Sequence, residues 1–265
     1  MYRPFFSLAR LPFDNEIPPD DLFPAAGASE YEARLGYLLS LRGIGLFTGE
    51  VGSGKTSIAR KAAAGLHRGL YRVFYVPLTT GNITDLYKTI AWEMGLPTER
   101  SLASLFRAIR QEINRLCAEA KIRPVLIIDE AHFLRHDVLE NIRLLTNYDM
   151  DSANRLTLVL VGQAELRRRL AMAVHEPFAQ RIVVRYHLTG LARDELAAYL
   201  AHRLERAGSP RQLFEPEAVE ALFQATNGLP RRVNLIAHHA LNAAAALSAA
   251  AVSADHVRLA VEETS

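Results

Sequence analysis

Apolar residues in the first two thirds of the chain follow two alternating patterns. Short apolar runs cover residues 44–48, 71–76, 125–128, 156–161 and 182–186. Between the first three of these runs, apolar residues recur at every third or fourth position. The continuous run at 125–128, and the similar one at 156–161, are typical of strands buried on both faces of a parallel sheet, whereas the wider spacing indicates helices that cover the sheet. The pattern predicts an α/β fold with a doubly wound, parallel, five-stranded sheet.

The last third of the chain shows helical spacing only. Apolar stripes cover residues 196–204, 218–223 and 233–251, and Ser253 is a candidate N-cap for a last helix. We therefore predict an all-helical domain at the C-terminus. The predicted division is an arm and a helix packing on the core at 1–43, the sheet-based core at 44–188 and the helical domain at 189–265.

The segment after the first predicted strand carries the most specific motif. Residues 49–56 match the phosphate-binding loop pattern G-x-x-x-x-G-K-[ST], and apolar residues at helical spacing follow. In such a loop, backbone N–H groups surround the phosphates of a nucleotide, the lysine adds a positive charge, and the threonine hydroxyl ligates Mg²⁺. The predicted binding residues are Gly49, Glu50, Val51, Gly52, Ser53, Gly54, Lys55, Thr56 and Ser57.

Two carboxylates directly follow the third predicted strand. Asp129 and Glu130 are expected at the carboxyl edge of the sheet, where ligands bind in folds of this class. We expect Asp129 to hold Mg²⁺, and Glu130 to orient and deprotonate the water that attacks the terminal phosphate. No N-K-x-D guanine signature occurs, which favours ATP as the nucleotide.

Three further polar residues are candidates for the same chemistry. Gln163 ends the fourth predicted strand, which would bring its amide near the terminal phosphate. Arg181 precedes the fifth strand and is preferred over the arginines at 167–169 as the residue that reaches a neighbouring subunit's nucleotide. Arg231 follows a Gly-Leu-Pro break, from where it would fold over the nucleotide.

The first 30 residues are irregular, because five prolines prevent a long helix. Their aromatic residues include Phe5, Phe6, Phe13 and Phe23. Two interpretations stay open: the arm packs over the core, or part of it forms a wall of the adenine pocket.

Composition changes this picture little. The formal charge of +2 neither requires nor excludes a nucleic-acid partner, and a single cysteine, Cys117, rules out an intrachain disulfide and fits a reducing compartment. No run of about 18 apolar residues and no leader pattern occurs, so we expect a cytoplasmic protein without membrane contact.

Taken together, these motifs resemble those of AAA+ ATPases, and more narrowly those of the ExeA-like (general secretion pathway protein A) family. The narrower resemblance covers essentially the whole chain. It rests on motifs at residues 5–8, 12–13, 48–52, 129–132, 144–147, 161–163 and 180–182. It implies Mg²⁺-dependent ATP hydrolysis, a helical lid at 189–265 and a homo-oligomer, either a hexameric ring or a helical filament. Gln163 departs from the Asn or Thr found in many AAA+ proteins, but it keeps the amide chemistry.

Short relatives of this kind are similar to the TniB and TnsC type ATPases. That resemblance implies assembly on duplex DNA with ATP bound and recruitment or activation of a DDE-type transposase. Candidate DNA contacts are Arg135, Arg143 and Arg155, which would repeat around an oligomer. Two alternatives stay open, an ExeA-type ATPase that helps to assemble an envelope complex and a nucleotide-dependent signalling switch.

Overall fold

The computed structural model describes residues 2–14, 16–77, 82–149, 152–209 and 211–264. The chain forms two compact units. The first comprises Met1–Ser29, Glu50–Ile58 and Thr189–Ser265, and the second comprises Glu30–Gly49 and Ala59–Leu188. The phosphate-binding loop thus groups with the C-terminal helices, although it directly follows a strand of the other unit. The predicted boundaries at 43/44 and 188/189 remain a proposal.

The second unit is built on the predicted five-stranded sheet. Its strands are β1 (Ile44–Gly49), β2 (Tyr71–Pro77), β3 (Arg123–Asp129), β4 (Thr157–Gly162) and β5 (Ile182–Leu188). They lie in the order β2-β3-β4-β1-β5, and every pairing is parallel. All carboxyl ends therefore lie at one edge, where Gly49, Asp129 and Gly162 end their strands. The predicted fold class is confirmed.

Helices cover both faces of this sheet. They are α1 (Ala26–Leu41), α2 (Lys55–Ala64), α3 (Ile83–Glu93), α4 (Leu102–Ala118), α5 (His136–Leu145), α6 (Ala164–Leu170) and α7 (Glu176–Ala179). Ile44 and Leu46 of β1 share a core with α3, α4 and α5. Phe47 points the other way, and its ring lies 4.3 Å from that of Tyr31 in α1. This alternation is that of a strand buried on both faces.

The first unit contains the predicted C-terminal helices α8 (Arg193–Arg206), α9 (Pro216–Thr226), α10 (Pro230–Ala246) and α11 (Ala254–Thr264). The prediction that the third of these extends to residue 251 is wrong. Ser248 adopts a left-handed φ of 53°, and the N–H groups of Ser248 and Ala249 donate to the carbonyls of Ala245 and Ala244. This C-terminal cap ends the helix although the following residues are good helix formers.

The N-terminal arm packs against these C-terminal helices. Tyr2, Phe6, Leu8 and Phe13 are buried in one apolar cluster with α8 to α11. The buried guanidinium of Arg203 in α8 donates to the carbonyl oxygens of Pro12 at 2.6 Å and Asp14 at 2.7 Å. These four apolar side chains therefore have a packing role within this unit, whereas Phe5 is 45% exposed. Among the described residues, no helix combines the length and apolar character needed to cross a bilayer.

Candidate nucleotide-binding site

The loop at 49–56 has the backbone that phosphate binding requires. Gly52 and Gly54 adopt φ angles of +82° and +92°, which side chains disfavour. The Lys55 ammonium lies over the loop and donates to the carbonyl of Glu50 at 2.8 Å. Helix α2 begins at Lys55, so its first N–H groups lie at the end of the loop, and Thr56 stands exposed in its first turn. An anion bound here would face a helix N-terminus and a lysine.

A buried hydroxyl tests whether the loop fits a phosphate. The Oγ of Ser53 is buried and has no hydrogen-bond partner among the described residues. An orphaned buried hydroxyl is costly unless a ligand satisfies it. The residues of this loop therefore fit a bound phosphate group.

Arg231 lies directly against this loop. It follows Pro230, the first residue of α10, and its backbone N–H donates to the carbonyl of Gly52 at 3.2 Å. The approach is so close that a Cβ added to Gly52 would lie 2.7 Å from the Cβ of Arg231. Arg231, which is predicted to fold over the nucleotide, is thus joined to the phosphate-binding loop through its backbone.

Asp129 is the buried carboxylate at the end of β3. One oxygen accepts a hydrogen bond from the backbone N–H of Glu130 at 2.8 Å, and the other accepts one from the Tyr75 hydroxyl at 2.9 Å. Burial, and then the negative charge of Asp129, raise the pKa of Tyr75 well above its ordinary value, so the hydroxyl stays a donor. A buried, fixed carboxylate is the type of ligand that Mg²⁺ prefers.

Glu130 adopts a backbone conformation that is rare for its residue type. Its φ is 54° and its ψ is 31°, in the left-handed region. The chain turns there from β3 into a short 3-10 turn at Ala131–Phe133, and the Glu130 side chain stays about half exposed. Such strain persists where the surrounding structure fixes it, and it is concentrated at functional sites. The turn separates the two carboxylates, leaving Asp129 buried and Glu130 accessible to water.

Gln163 and Glu130 both approach His132, to which the sequence analysis assigns no role. The side-chain nitrogen of Gln163 lies 2.9 Å from His132 Nε2, and Glu130 Oε2 lies 3.3 Å from His132 Nδ1. Tyr75 was likewise missed. The position of His132, two residues after the Asp129-Glu130 pair, is a signal in the sequence, whereas the partner of Tyr75 depends on the pairing of β2 with β3.

Arg181 lies at the opposite edge of the sheet from Glu130. It precedes β5, whose first residue, Ile182, pairs with Ile44 at the start of β1. The carboxyl edge is five residues further along β1, a distance of roughly 16 Å at the usual rise per residue. The structure therefore separates Arg181 from the group formed by Asp129, Glu130 and Gln163.

The three arginines predicted to contact DNA are all engaged in ion pairs. Arg135 pairs with Asp137 at 2.8 Å and Arg143 pairs with Glu140 at 2.9 Å. Arg155 donates to Asp149 at 2.6 Å and to Asn114 at 2.8 Å, and its guanidinium lies 5.5 Å from the Tyr148 ring centre. A phosphate would have to compete with these carboxylates.

Comparison with known proteins identifies the family. A family model described as AAA domain matches residues 38–170. The chain is 36% identical over 268 residues to general secretion pathway protein A of Aeromonas hydrophila, an alignment that covers 100% of this chain and 49% of that protein. The chain thus spans about half the length of this curated relative.

Solved structures share the fold at lower sequence identity. The ORC2 protein of Aeropyrum pernix, solved as ADPNP and ADP complexes, is 22% identical with a TM-score of 0.69, covering 96% of this chain and 71% of that one. Drosophila ORC bound to DNA is 21% identical with a TM-score of 0.72, covering 98% and 66%. These likenesses support the fold class. Together with the phosphate-binding loop and the acidic pair, the family match and the curated relative show that the chain belongs to the AAA domain family, as an AAA+ ATPase similar to general secretion pathway protein A.

Proposed function

We propose that this chain binds ATP and Mg²⁺ and hydrolyses ATP to ADP and phosphate, with Glu130 as the general base. The observation that carries the proposal is the pair of carboxylates at the end of β3, one buried and held by two hydrogen bonds and the other accessible to water. This pair lies at the sheet edge where β1 ends and the chain enters the phosphate-binding loop. The family to which the chain belongs implies ATPase activity.

Each proposed role follows from the chemistry of the residue. The loop N–H groups and Lys55 bind the phosphates, while Thr56 and Asp129 would hold Mg²⁺. The metal would neutralise charge on the phosphate oxygens. Glu130 orients a water for in-line attack and accepts its proton, and the amide of Gln163 helps to fix the attacking geometry. Arg231 couples the bound nucleotide to helix α10, because its backbone N–H already bonds the loop.

We further propose that the active form is a homo-oligomer, a hexameric ring or a helical filament, in which Arg181 serves the nucleotide of a neighbouring subunit. Its position at the amino edge of the sheet supports this, because an arginine there is remote from Glu130 of its own chain. A positive charge supplied across an interface would stabilise the transition state only in the assembled protein.

Mixing two inactive variants tests the intersubunit role. Lys55→Ala and Arg181→Ala are each expected to lose ATP turnover, while a 1:1 mixture regains about a quarter of wild-type turnover, since random pairing gives one interface in four with both residues intact. Phosphate release is the measurement. Arg168→Ala, an exposed arginine in α6, is the matched control and should keep full turnover. A mixture no more active than its components would contradict action between subunits.

Two client roles are proposed for this ATPase. A secretion-pathway role, in which it helps to assemble an envelope complex, is favoured by the identity to general secretion pathway protein A along the whole chain. The second is a DNA-based role, in which the ATP-bound oligomer assembles on duplex DNA without strong sequence preference. There it would recruit or activate a DDE-type transposase, as TniB and TnsC type ATPases do. The shared fold with ORC bound to DNA favours this role. A cytoplasmic location fits the second role.

Fluorescence anisotropy with labelled duplex DNA separates the two roles. If the DNA role holds, the hydrolysis-deficient Glu130→Gln variant binds duplexes of unrelated sequence with ATP but not with ADP, and binding weakens steeply with salt. Replacing Arg135, Arg143 and Arg155 by Gln should then flatten the salt dependence. If the secretion role holds, ATP and ADP give the same negligible DNA binding, and the ATP-bound protein instead sediments with peptidoglycan or inner-membrane vesicles.

A further inference from the structure

The His132 side chain lies between those of Gln163 and Glu130, two residues that are proposed to take part in hydrolysis. Its Nε2 is 2.9 Å from the Gln163 amide nitrogen, and its Nδ1 is 3.3 Å from Glu130 Oε2. Nδ1 is buried and has no hydrogen bond of good geometry among the described residues, although this carboxylate oxygen is within ion-pair distance. A small rotation of the half-exposed Glu130 side chain would complete the bond.

The surrounding backbone holds His132 in place. Arg169 donates to the carbonyl of His132 at 3.0 Å and to that of Leu134 at 2.6 Å. Gly162 leaves the space that this turn needs, because a Cβ there would lie 3.1 Å from the backbone nitrogen of His132. With 8% of its surface exposed, His132 has little freedom to turn elsewhere.

The contact with Gln163 also selects the tautomer of the ring. An amide N–H of Gln163 donates to Nε2, so the neutral imidazole carries its proton on Nδ1. That N–H then faces Glu130, which as a carboxylate only accepts. The chain of donors runs from Gln163 through His132 to Glu130, and every step points toward the proposed general base.

We propose that His132 is a positioning residue for Glu130, and that it transmits the placement of the Gln163 amide to the orientation of the Glu130 carboxylate. The inference rests on the proposed role of Glu130 as general base. In this arrangement an N–H from His132 holds the carboxylate in the orientation that abstracts the proton of the attacking water. Without it, the side chain samples unproductive rotamers, which slows the chemical step and leaves ATP binding unchanged.

Three substitutions at one position test this role. In His132→Asn, the shorter amide can place an N–H where Nδ1 lies, whereas in His132→Gln the longer amide reaches toward Gln163 instead. We expect kcat to fall about 10- to 100-fold in His132→Ala and in His132→Gln, a range typical of lost supporting hydrogen bonds. His132→Asn should keep most of the wild-type kcat. The KM for ATP and the ATP dissociation constant should stay unchanged in all three variants.

Controls separate this inference from a folding defect and from the proposed function. His256→Gln changes a second histidine with the same 8% exposure, in α11, and should leave turnover at the wild-type level, with melting temperatures measured throughout. Equal kcat in His132→Asn and His132→Gln, or a loss of ATP affinity that matches the loss of kcat, would overturn the positioning role. If Glu130→Gln itself retained turnover, the proposed function would fail, whatever the His132 variants did.

Discussion

Glu130→Gln is expected to bind ATP as tightly as the wild-type chain and to hydrolyse it about 10²- to 10⁴-fold more slowly, the usual contribution of a positioned general base. The amide keeps the shape of the side chain but cannot accept the proton of the attacking water. Asp129 keeps its hydrogen bonds to Tyr75 and to the backbone of residue 130, so the proposed Mg²⁺ ligand is unaffected. Single-turnover hydrolysis and equilibrium binding of a fluorescent ATP analogue measure the two quantities separately.

The matched control for this variant is Glu119→Gln, which removes an exposed carboxylate after α4. It should leave turnover and affinity within about twofold of the wild type, since surface substitutions away from special features have small effects. A Glu130→Gln variant that turns over ATP at close to the wild-type rate would exclude Glu130 as the base. A loss of ATP affinity equal to the loss of rate would instead indicate a structural role.

Lys55→Ala is expected to weaken ATP binding by about 10- to 100-fold, because a hydrogen bond to a charged group contributes roughly 1.5 to 3 kcal/mol. The loss of binding free energy should be larger at the transition state, where more charge develops on the phosphate oxygens, so turnover falls further than affinity. The Lys55 ammonium already lies over the loop, 2.8 Å from the carbonyl oxygen of Glu50. Isothermal titration calorimetry and phosphate release measure the two effects.

Lys61→Ala serves as the control for Lys55→Ala. Lys61 lies in the same helix and forms a partly exposed ion pair with Glu32 at 3.7 Å, so its removal should cost little stability and no ATP affinity. If both lysine variants bound ATP like the wild-type chain, the loop would not be the phosphate site. If both lost binding equally, the effect would come from general charge or from α2, not from Lys55.

Some features of the site followed from local chemistry. The phosphate-binding role of the loop could be predicted from its glycines, because Gly52 and Gly54 adopt φ angles of +82° and +92° that other residue types disfavour. Asp129 and Glu130 could be placed at the sheet edge because an apolar run ended just before them. The contact of His132 with Gln163, the contact of Tyr75 with Asp129 and the backbone contact between Arg231 and Gly52 could not be predicted, because each joins residues from distant parts of the sequence.

The end of α10 likewise could not be predicted from local sequence. Its alanines continue the helical pattern past residue 246, yet the left-handed turn at Ser248 stops it. Helix propensity is a weak preference that a cap and the packing of the next helix override.

By itself, the sequence determined the α/β class, the five strands, the helical C-terminal region and the phosphate-binding motif. The fold class, the strands and the helices follow from the periodicity of apolar residues, and the phosphate-binding motif follows from its fixed glycine, lysine and threonine positions. Only the tertiary structure decided that Asp129 is buried while Glu130 is accessible, that His132 stands between Glu130 and Gln163, and that Arg181 lies at the other edge of the sheet. The reason is physical: strand order, register and a left-handed turn fix the directions of these side chains, and none of the three is encoded in local spacing.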